Sequence, residues 1–280
     1  MTSVERNEPD AVAPADSAWS ASGSPLLDVT DDAFLGGKLR ILQPRTAYRA
    51  GLDAVLLAAA VPDCQGAPVD ILDAGAGVGV VGLAIAHRIA AARITLVEIA
   101  PALASLAREN ARRNAMADRI EIVQADISRG GAAFAPGLHP ALQASRVAHV
   151  VANPPSQVDG RASPSPNPLK ANAHAMPPVD LDAWMRFLAA AAMADGTATV
   201  IHRADALPEL LEALGNRFGA LKILPIHARA GKPASRIVVQ GRKGSRAPLT
   251  LLPGLILHGE GHAFRPPVDA ILRDGQSLNW

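Results

Sequence analysis

Val69-Asp70-Ile71-Leu72-Asp73-Ala74-Gly75-Ala76-Gly77-Val78-Gly79 decides the fold of this chain. The stretch reads as a short apolar strand, an acid at the strand's end, and a turn with glycine at three alternate positions. A helical pattern follows at once, from Val80 to Ala91. Glycine lets the backbone turn sharply and leaves no Cβ to hold a ligand off the main chain. The first turn of a helix offers unpaired N–H groups to a polar or anionic ligand group. Strand, glycine turn and helix in this order predict a nucleotide-type cofactor site at the end of the first strand of a doubly wound sheet.

The glycines alone do not choose the cofactor. Gly77-Val78-Gly79-Val80-Val81-Gly82 also matches G-x-G-x-x-G, the dinucleotide fingerprint. Three further features bear on the choice. Asp73 stands just before the turn, where a carboxylate faces a diphosphate poorly but accepts hydrogen bonds from an ammonium or hydroxyl group. Arg93-Ile94-Thr95-Leu96-Val97-Glu98 reads as a second strand ending in an acid nineteen residues beyond Gly79. That acid is placed for bidentate bonding to ribose hydroxyls, which both cofactor types need. A later strand, Val147 to Ala152, ends in Asn153-Pro154-Pro155. That tripeptide is no part of the dinucleotide fingerprint.

Working outward, strands and helices alternate: 69–73, helix 78–91, 93–98, helix 101–115, 120–123, 147–152, helix 181–193, 197–202, helix 205–216, 221–226 and 235–240. The alternation predicts an α/β fold, a doubly wound, mostly parallel sheet of seven strands with helices on both faces and the last strand antiparallel. Upstream, Gly51 to Val61 reads as a buried helix stopped by Pro62, and Asp31 to Leu42 as a hairpin around Gly36-Gly37. Asp195-Gly196 reads as the break between a helix and the strand after it. Residues 129–145 form a connection, and Ser156 to Val179 a long loop dense in Pro, Ser and Asn, a length that is usually functional or disordered.

Nearly half of the 280 residues are apolar, at 49%, so a sizeable core is available. Aromatics make up only 3%, which leaves Ala, Val, Leu and Ile to fill it. A formal net charge of +1 exerts no global pull on nucleic acid, so any RNA affinity must come from a local patch. The single cysteine, Cys64, excludes an internal disulfide and a cysteine-rich zinc site, as befits a reducing cytosol. The eight histidines have no metal-like spacing; His174 in the long loop is the one to watch. No apolar run approaches the roughly 20 residues of a membrane helix, and the N-terminus has no apolar signal core. The expectation is a cytoplasmic protein with no metal and no membrane partner.

Asp73-x-Gly-x-Gly-x-Gly79, Glu98, Ala125-Asp126 and Asn153-Pro154-Pro155 stand in an order and spacing that resembles the class I S-adenosylmethionine-dependent methyltransferases. The Asn-Pro-Pro element points to the branch acting on planar nitrogens, such as adenine N6 or a glutamine amide. Asp32-Ala33-Phe34-Leu35-Gly36-Gly37-Lys38-Leu39, then Gln43-Pro44-Arg45, then Tyr48 to Leu57 resembles the N-terminal signature of the bacterial tRNA1(Val) adenine-37 N6-methyltransferase family. The resemblance runs from about Asp31 to the C-terminus. It implies S-adenosyl-L-methionine as cofactor and tRNA as substrate. Residues 1–25, rich in Ala, Ser, Asp and Pro with little apolar periodicity, read as a disordered tail, followed by a methyltransferase domain at 26–245 and a C-terminal extension at 246–280 packed on it. The chain departs from the pattern at one point. The Tyr or Phe that follows Asn-Pro-Pro, and stacks on the target base, is Ser156 here.

The resemblance gives each residue a role. Asp73 and the main chain of Gly75, Ala76, Gly77 and Gly79 hold the methionine end of the cofactor. Glu98 binds the ribose, Asp126 accepts from the adenine amino group, and Ile127 packs on the ring. Gln43, Tyr48, Arg49 and Asp53 lie in a segment that covers the cofactor; alternatively, Arg49 and Asp53, at i and i+4, pair on a helix surface. Asn153, Pro154 and Pro155 carry the chemistry. Arg229, Lys232, Arg236, Arg242, Lys243 and Arg246 form a run without an acid, suited to gripping phosphates. The expected function is N-methylation of adenine N6 in tRNA. The alternatives are methylation of a protein glutamine amide, or an inactive cofactor-binding module that binds RNA. For an adenine substrate, residues of the 156–179 loop or Trp184 stand in for the missing ring.

Overall fold

The computed structural model describes residues 28–46, 49–134, 142, 144, 146–155 and 180–278. A hairpin of β1 (Val29–Phe34) and β2 (Leu39–Pro44) is followed by α1 (Leu52–Ala59), β3 (Val69–Ala74), α2 (Val80–Arg88), β4 (Ala92–Glu98) and α3 (Pro101–Arg113). Next come β5 (Ile120–Gln124), a 3-10 segment (Ile127–Phe134), β6 (Val147–Ala152), α4 (Leu181–Ala191), β7 (Ala192–Arg203) and α5 (Leu207–Leu214). The chain continues through β8 (Phe218–His227), β9 (Ala234–Lys243), the two-residue strands β10 (Thr250–Leu251) and β11 (Leu255–Ile256), and α6 (Pro266–Asp274). Residues 1–25, Tyr48, Ser156, His174 and the whole 156–179 loop lie outside the described residues.

The main sheet runs β10-β8-β9-β7-β6-β3-β4-β5, with β11 also on β8. Strands β5, β4, β3, β6 and β7 are mutually parallel. Strand β9 is antiparallel to both β7 and β8. This is the mostly parallel seven-stranded sheet expected from the sequence, lengthened at one edge by β10 and β11. The chain leaves β3 toward β4 and β5, then returns to the other side of β3 as β6. The order therefore reverses between β3 and β6, and the crevice beyond their carboxyl ends is where such sheets bind ligands.

Both faces of the sheet are covered, which is why its central strands read as continuous apolar runs rather than alternating ones. Successive side chains of a strand point to opposite faces. On β3, Ile71 joins a core with Leu56, Leu83, Leu106 and Ile271 of α1, α2, α3 and α6. Its neighbour Leu72 joins a second core with Met185, Phe187, Leu188 and Leu210 of α4 and α5. The two cores fix α2 directly beneath the glycine turn and α4 on the opposite side of the same strand tip. The break expected at Asp195-Gly196 is instead inside β7. Asp195 takes a left-handed φ of 59°, and the pairing with β6 shifts between Val147 and His149. Three extra residues of β7 are thus absorbed in an enlarged bulge, and the strand continues.

Candidate active site

The turn after β3 is built on left-handed backbone: φ is 69° at Gly75, 57° at Gly77 and 90° at Gly79. The N–H groups of Gly75 and Ala76 both donate to the Val97 carbonyl at 2.9 Å, which ties the turn to β4. A Cβ added to Gly77 would meet nothing within 4 Å, so this residue borders open space. A Cβ on Gly82 would fall 2.3 Å from Leu96 Cδ2, so that glycine serves helix–sheet packing. The match of Gly77 to Gly82 with a dinucleotide fingerprint therefore combines one residue facing space and one facing core.

Three acids occupy adjacent strand tips. Asp73 is 1% exposed, and its Oδ2 accepts from Gly82 N–H at 3.1 Å in the first turn of α2. Burial pushes its pKa up to about 7, and the charge of Glu98 adds to the rise, while the Gly82 hydrogen bond opposes it. Glu98, at the tip of β4, accepts from Gly77 N–H with Oε2 and from Ala100 N–H with Oε1, both at 2.8 Å. Asp126 follows β5 and accepts from Ser128 N–H at 2.9 Å and from Ser128 Oγ at 2.6 Å. Ile127 beside it is buried in the second core with Val123 and Ala125. The buried acid at the turn, the acid on the neighbouring tip and the unobstructed Gly77 suit a ligand with an ammonium group, a ribose and a base.

Asn153, Pro154 and Pro155 continue directly from β6. Ala74 pairs with Ala152 across β3 and β6, so continuing that register brings Asn153 level with Gly75. Trp184, in the first turn of α4, approaches the same turn from the other side: its Cη2 lies 2.5 Å from where a Gly75 Cβ would be. His202 was not singled out in the sequence. It is the penultimate residue of β7, at 7% exposure, and the Ala152–Val200 pairing extends to place it level with Pro154. Burial, with Arg203 and Arg236 adding, holds its pKa below the usual histidine value; Asp205 and Glu209 oppose. The strand neighbour of His202 on β9 is Ile237, a pairing between distant segments that no local pattern marks.

Other expected residues have different partners. Arg49 pairs with Asp32 and donates to Thr30 Oγ1 at 2.7 Å and to the Pro44 carbonyl at 3.1 Å. Gln43 is buried, donates to Asp32 at 2.8 Å and accepts from Ala50 N–H at 2.8 Å. These two staple the hairpin to the start of α1. Asp53 accepts from Arg236 Nε at 2.8 Å. The pair between Arg49 and Asp53 is not formed, because Arg49 precedes the helix, which begins at Leu52. The basic run is not one patch either. Arg229, Lys232 and Arg236 lie at the carboxyl edge of the sheet. Arg242, Lys243 and Arg246 lie at the other edge, roughly 20 Å away for the six residues from Arg236 to Arg242. Among the described residues no group of three or more His, Cys, Asp or Glu could hold a metal ion. No helix among them is long and apolar enough to cross a membrane.

Residues 53–165 match the family described as Methyltransferase small domain. The tRNA1(Val) (adenine(37)-N6)-methyltransferase of Porphyromonas gingivalis is 41% identical over 98 residues, which is 34% of this chain and 38% of that protein. A release factor glutamine methyltransferase of Moorella thermoacetica is 32% identical over 115 residues, 41% of this chain and 35% of that protein. The chain thus matches little more than a third of the length of these curated relatives. The crystal structure of a predicted O-methyltransferase from Agrobacterium tumefaciens aligns over 81% of this chain and 98% of that one, with a TM-score of 0.67 and 32% identity.

Proposed function

The chain belongs to the class I S-adenosylmethionine-dependent methyltransferases, and on that premise we propose that it methylates N6 of an adenine in tRNA. The observation that carries this reading is the placement of Asn153-Pro154-Pro155 at the tip of β6, level with the glycine turn. When bound, S-adenosylmethionine supplies an electrophilic methyl group on its sulfonium. Asp73 and the Gly75–Gly79 main chain would hold its amino-acid end, with Glu98 at the ribose and Asp126 at the adenine.

An exocyclic amine is a poor nucleophile because its lone pair is delocalised into the ring. The Asn153 side-chain oxygen and the Pro154 carbonyl would accept hydrogen bonds from its two N–H groups and draw the nitrogen toward tetrahedral geometry. The lone pair then faces the donor side of the turn. After the methyl group is transferred, one of those protons leaves to water. No strong base is required; the gain comes from orientation and from dipoles already placed for the transition state. The two prolines fix the backbone that carries the second acceptor. Arg229 and Lys232, on the same edge, are positioned to meet RNA phosphates. A tRNA substrate makes the cytoplasm the place of work.

Methylation of a protein glutamine amide is the second reading, favoured by the likeness to release factor glutamine methyltransferases. It uses the same two acceptors. Radiolabelled methyl transfer to total tRNA and to a glutamine-containing peptide separates the readings. Label in tRNA is expected; label in the peptide alone contradicts the adenine reading. Turnover on either rejects an inactive module.

A further inference from the structure

We propose that Trp184 is the aromatic wall of the acceptor site and sets its preference for a flat ring. The inference rests on the adenine reading. A base taken out of its stack needs a surface to replace the one it left. The residue after Asn153-Pro154-Pro155 is serine, so the position where the resemblance places a ring has none.

The phenylalanines do not fill that role. Phe187 and Phe218 are buried in the second core, and Phe134 packs on Phe187 with ring centroids 4.9 Å apart. Phe264 stacks on His258 at 4.6 Å, and Phe34 packs against the first core from the hairpin. Among the described aromatic residues only Trp184 reaches the glycine turn. The Cη2 and Cζ3 atoms of its ring lie 2.5 and 3.1 Å from the position of a Gly75 Cβ, so the missing side chain of Gly75 is what admits the indole.

The root of this side chain is fixed. Asp180 caps α4 by accepting from Ala183 N–H at 3.0 Å, and Leu181, Ala183 and Met185 on either side of Trp184 are buried. The ring itself is only half-buried. The indole N–H of Trp184 has no acceptor among the described residues and is not among the buried polar atoms, so it is open to solvent and available to an acceptor atom of a bound base. The side on which Trp184 stands also matters. The register that sets Asn153 beside Gly75 places the indole at the β3–β6 boundary, whereas Glu98 and Asp126 lie across β4 and β5. The ring therefore borders the amine that receives the methyl group rather than the far end of the cofactor. An indole face rewards a planar heterocycle and gives little to a glutamine side chain.

The test uses the full chain, a synthetic anticodon stem-loop RNA with adenine at position 37, and a glutamine-containing peptide. Trp184→Ala is expected to raise KM for the RNA by about tenfold or more, the scale of one lost stacking contact. The Kd for S-adenosylmethionine should stay within about twofold. Trp184→Phe should recover most of the loss, and it keeps the proposal testable if the alanine variant fails to fold. The RNA should quench tryptophan emission in the wild type but not in Trp184→Phe. An unchanged KM, or an equal loss of cofactor affinity, overturns the proposal while leaving RNA methylation standing. Wild-type turnover of the peptide but not the RNA refutes the adenine reading, and the wall with it.

Discussion

At the carboxyl end of the sheet, Asp73, Glu98 and Asp126 stand on three adjacent strand tips, and none has a cationic partner among the described residues. Toward the amino end, three arginines are used by the fold itself. Arg88 donates to the carbonyls of Ala58 and Val61 at 3.0 and 2.6 Å, beyond the last turn of α1. Arg119 donates to the carbonyls of Ala86, Ala90 and Ala92 at 3.1–3.3 Å, around the end of α2. Arg217 reaches the Ala213 carbonyl at 2.7 Å and Asp182 at 2.9 Å. Helix C-termini leave carbonyls without partners and carry partial negative charge, so arginines there serve stability. The acids at the other end accept from backbone N–H groups and a hydroxyl, and no cation of the described residues answers them. The arginines at the amino end act on the fold, and the acids at the carboxyl end are the ones proposed to meet a ligand.

The largest effect should come from the carboxyl end. Asn153→Ala removes the acceptor proposed for the reacting amine and should lower kcat by about 10²–10³. Calorimetry should find cofactor affinity nearly intact, since its contacts are assigned to Asp73, Glu98 and Asp126. Turnover within a few-fold of wild type would remove Asn153 from the mechanism and weaken the contrast between the two ends.

Asp73 sharpens the comparison through pH. Burial raises its pKa to about 7 in the folded, cofactor-free protein, from 3.8 for an ordinary aspartate. Between these values the folded state holds a proton that the unfolded state has released. Stability should therefore fall as pH rises from about 4 through about 7, by at most roughly 4 kcal/mol from this group. Asp73→Asn, which keeps an oxygen for Gly82 N–H, should flatten that part of the profile in urea melts at a series of pH values. Identical slopes in the two proteins would mean that Asp73 is ionised throughout and already answered by a partner.

The smallest effect separates the two halves of the basic run. Alanine at both Arg229 and Lys232 should weaken RNA binding several-fold and reduce the salt slope by about 1–2. Alanine at both Arg242 and Arg246, on the far edge, should leave both unchanged. Equal losses from the two pairs would show that RNA wraps both ends of the sheet.

The strand–turn–helix at 69–91 was legible because its cause is local: an apolar run, an acid, and glycines that alone tolerate left-handed backbone. The alternation behind the parallel sheet was legible for the same reason. Features made by distant segments were not. Asn110 is fully buried in α3, where its side chain accepts from Leu42 N–H at 2.8 Å and donates to the carbonyls of Leu42 and Val78 at 3.0 Å. It acts as a strand partner for the hairpin, yet an asparagine in a charged helix gives no sign of this. The split of the basic run follows from strand direction, which composition does not record. Trp184 stood out in the sequence only as the next aromatic after the long loop. Its approach to Gly75 depends on α4 packing across the tip of β3.

The most direct measurement is the identity of the methylated nucleoside. Unmodified tRNA incubated with the wild-type protein and labelled S-adenosylmethionine, then digested and resolved by mass, should yield N6-methyladenosine from wild type and almost none from Asn153→Ala. Label on another atom of the RNA, or N6-methyladenosine formed equally well without Asn153, would contradict the assignment of the β6 tip as the site where the amine is held.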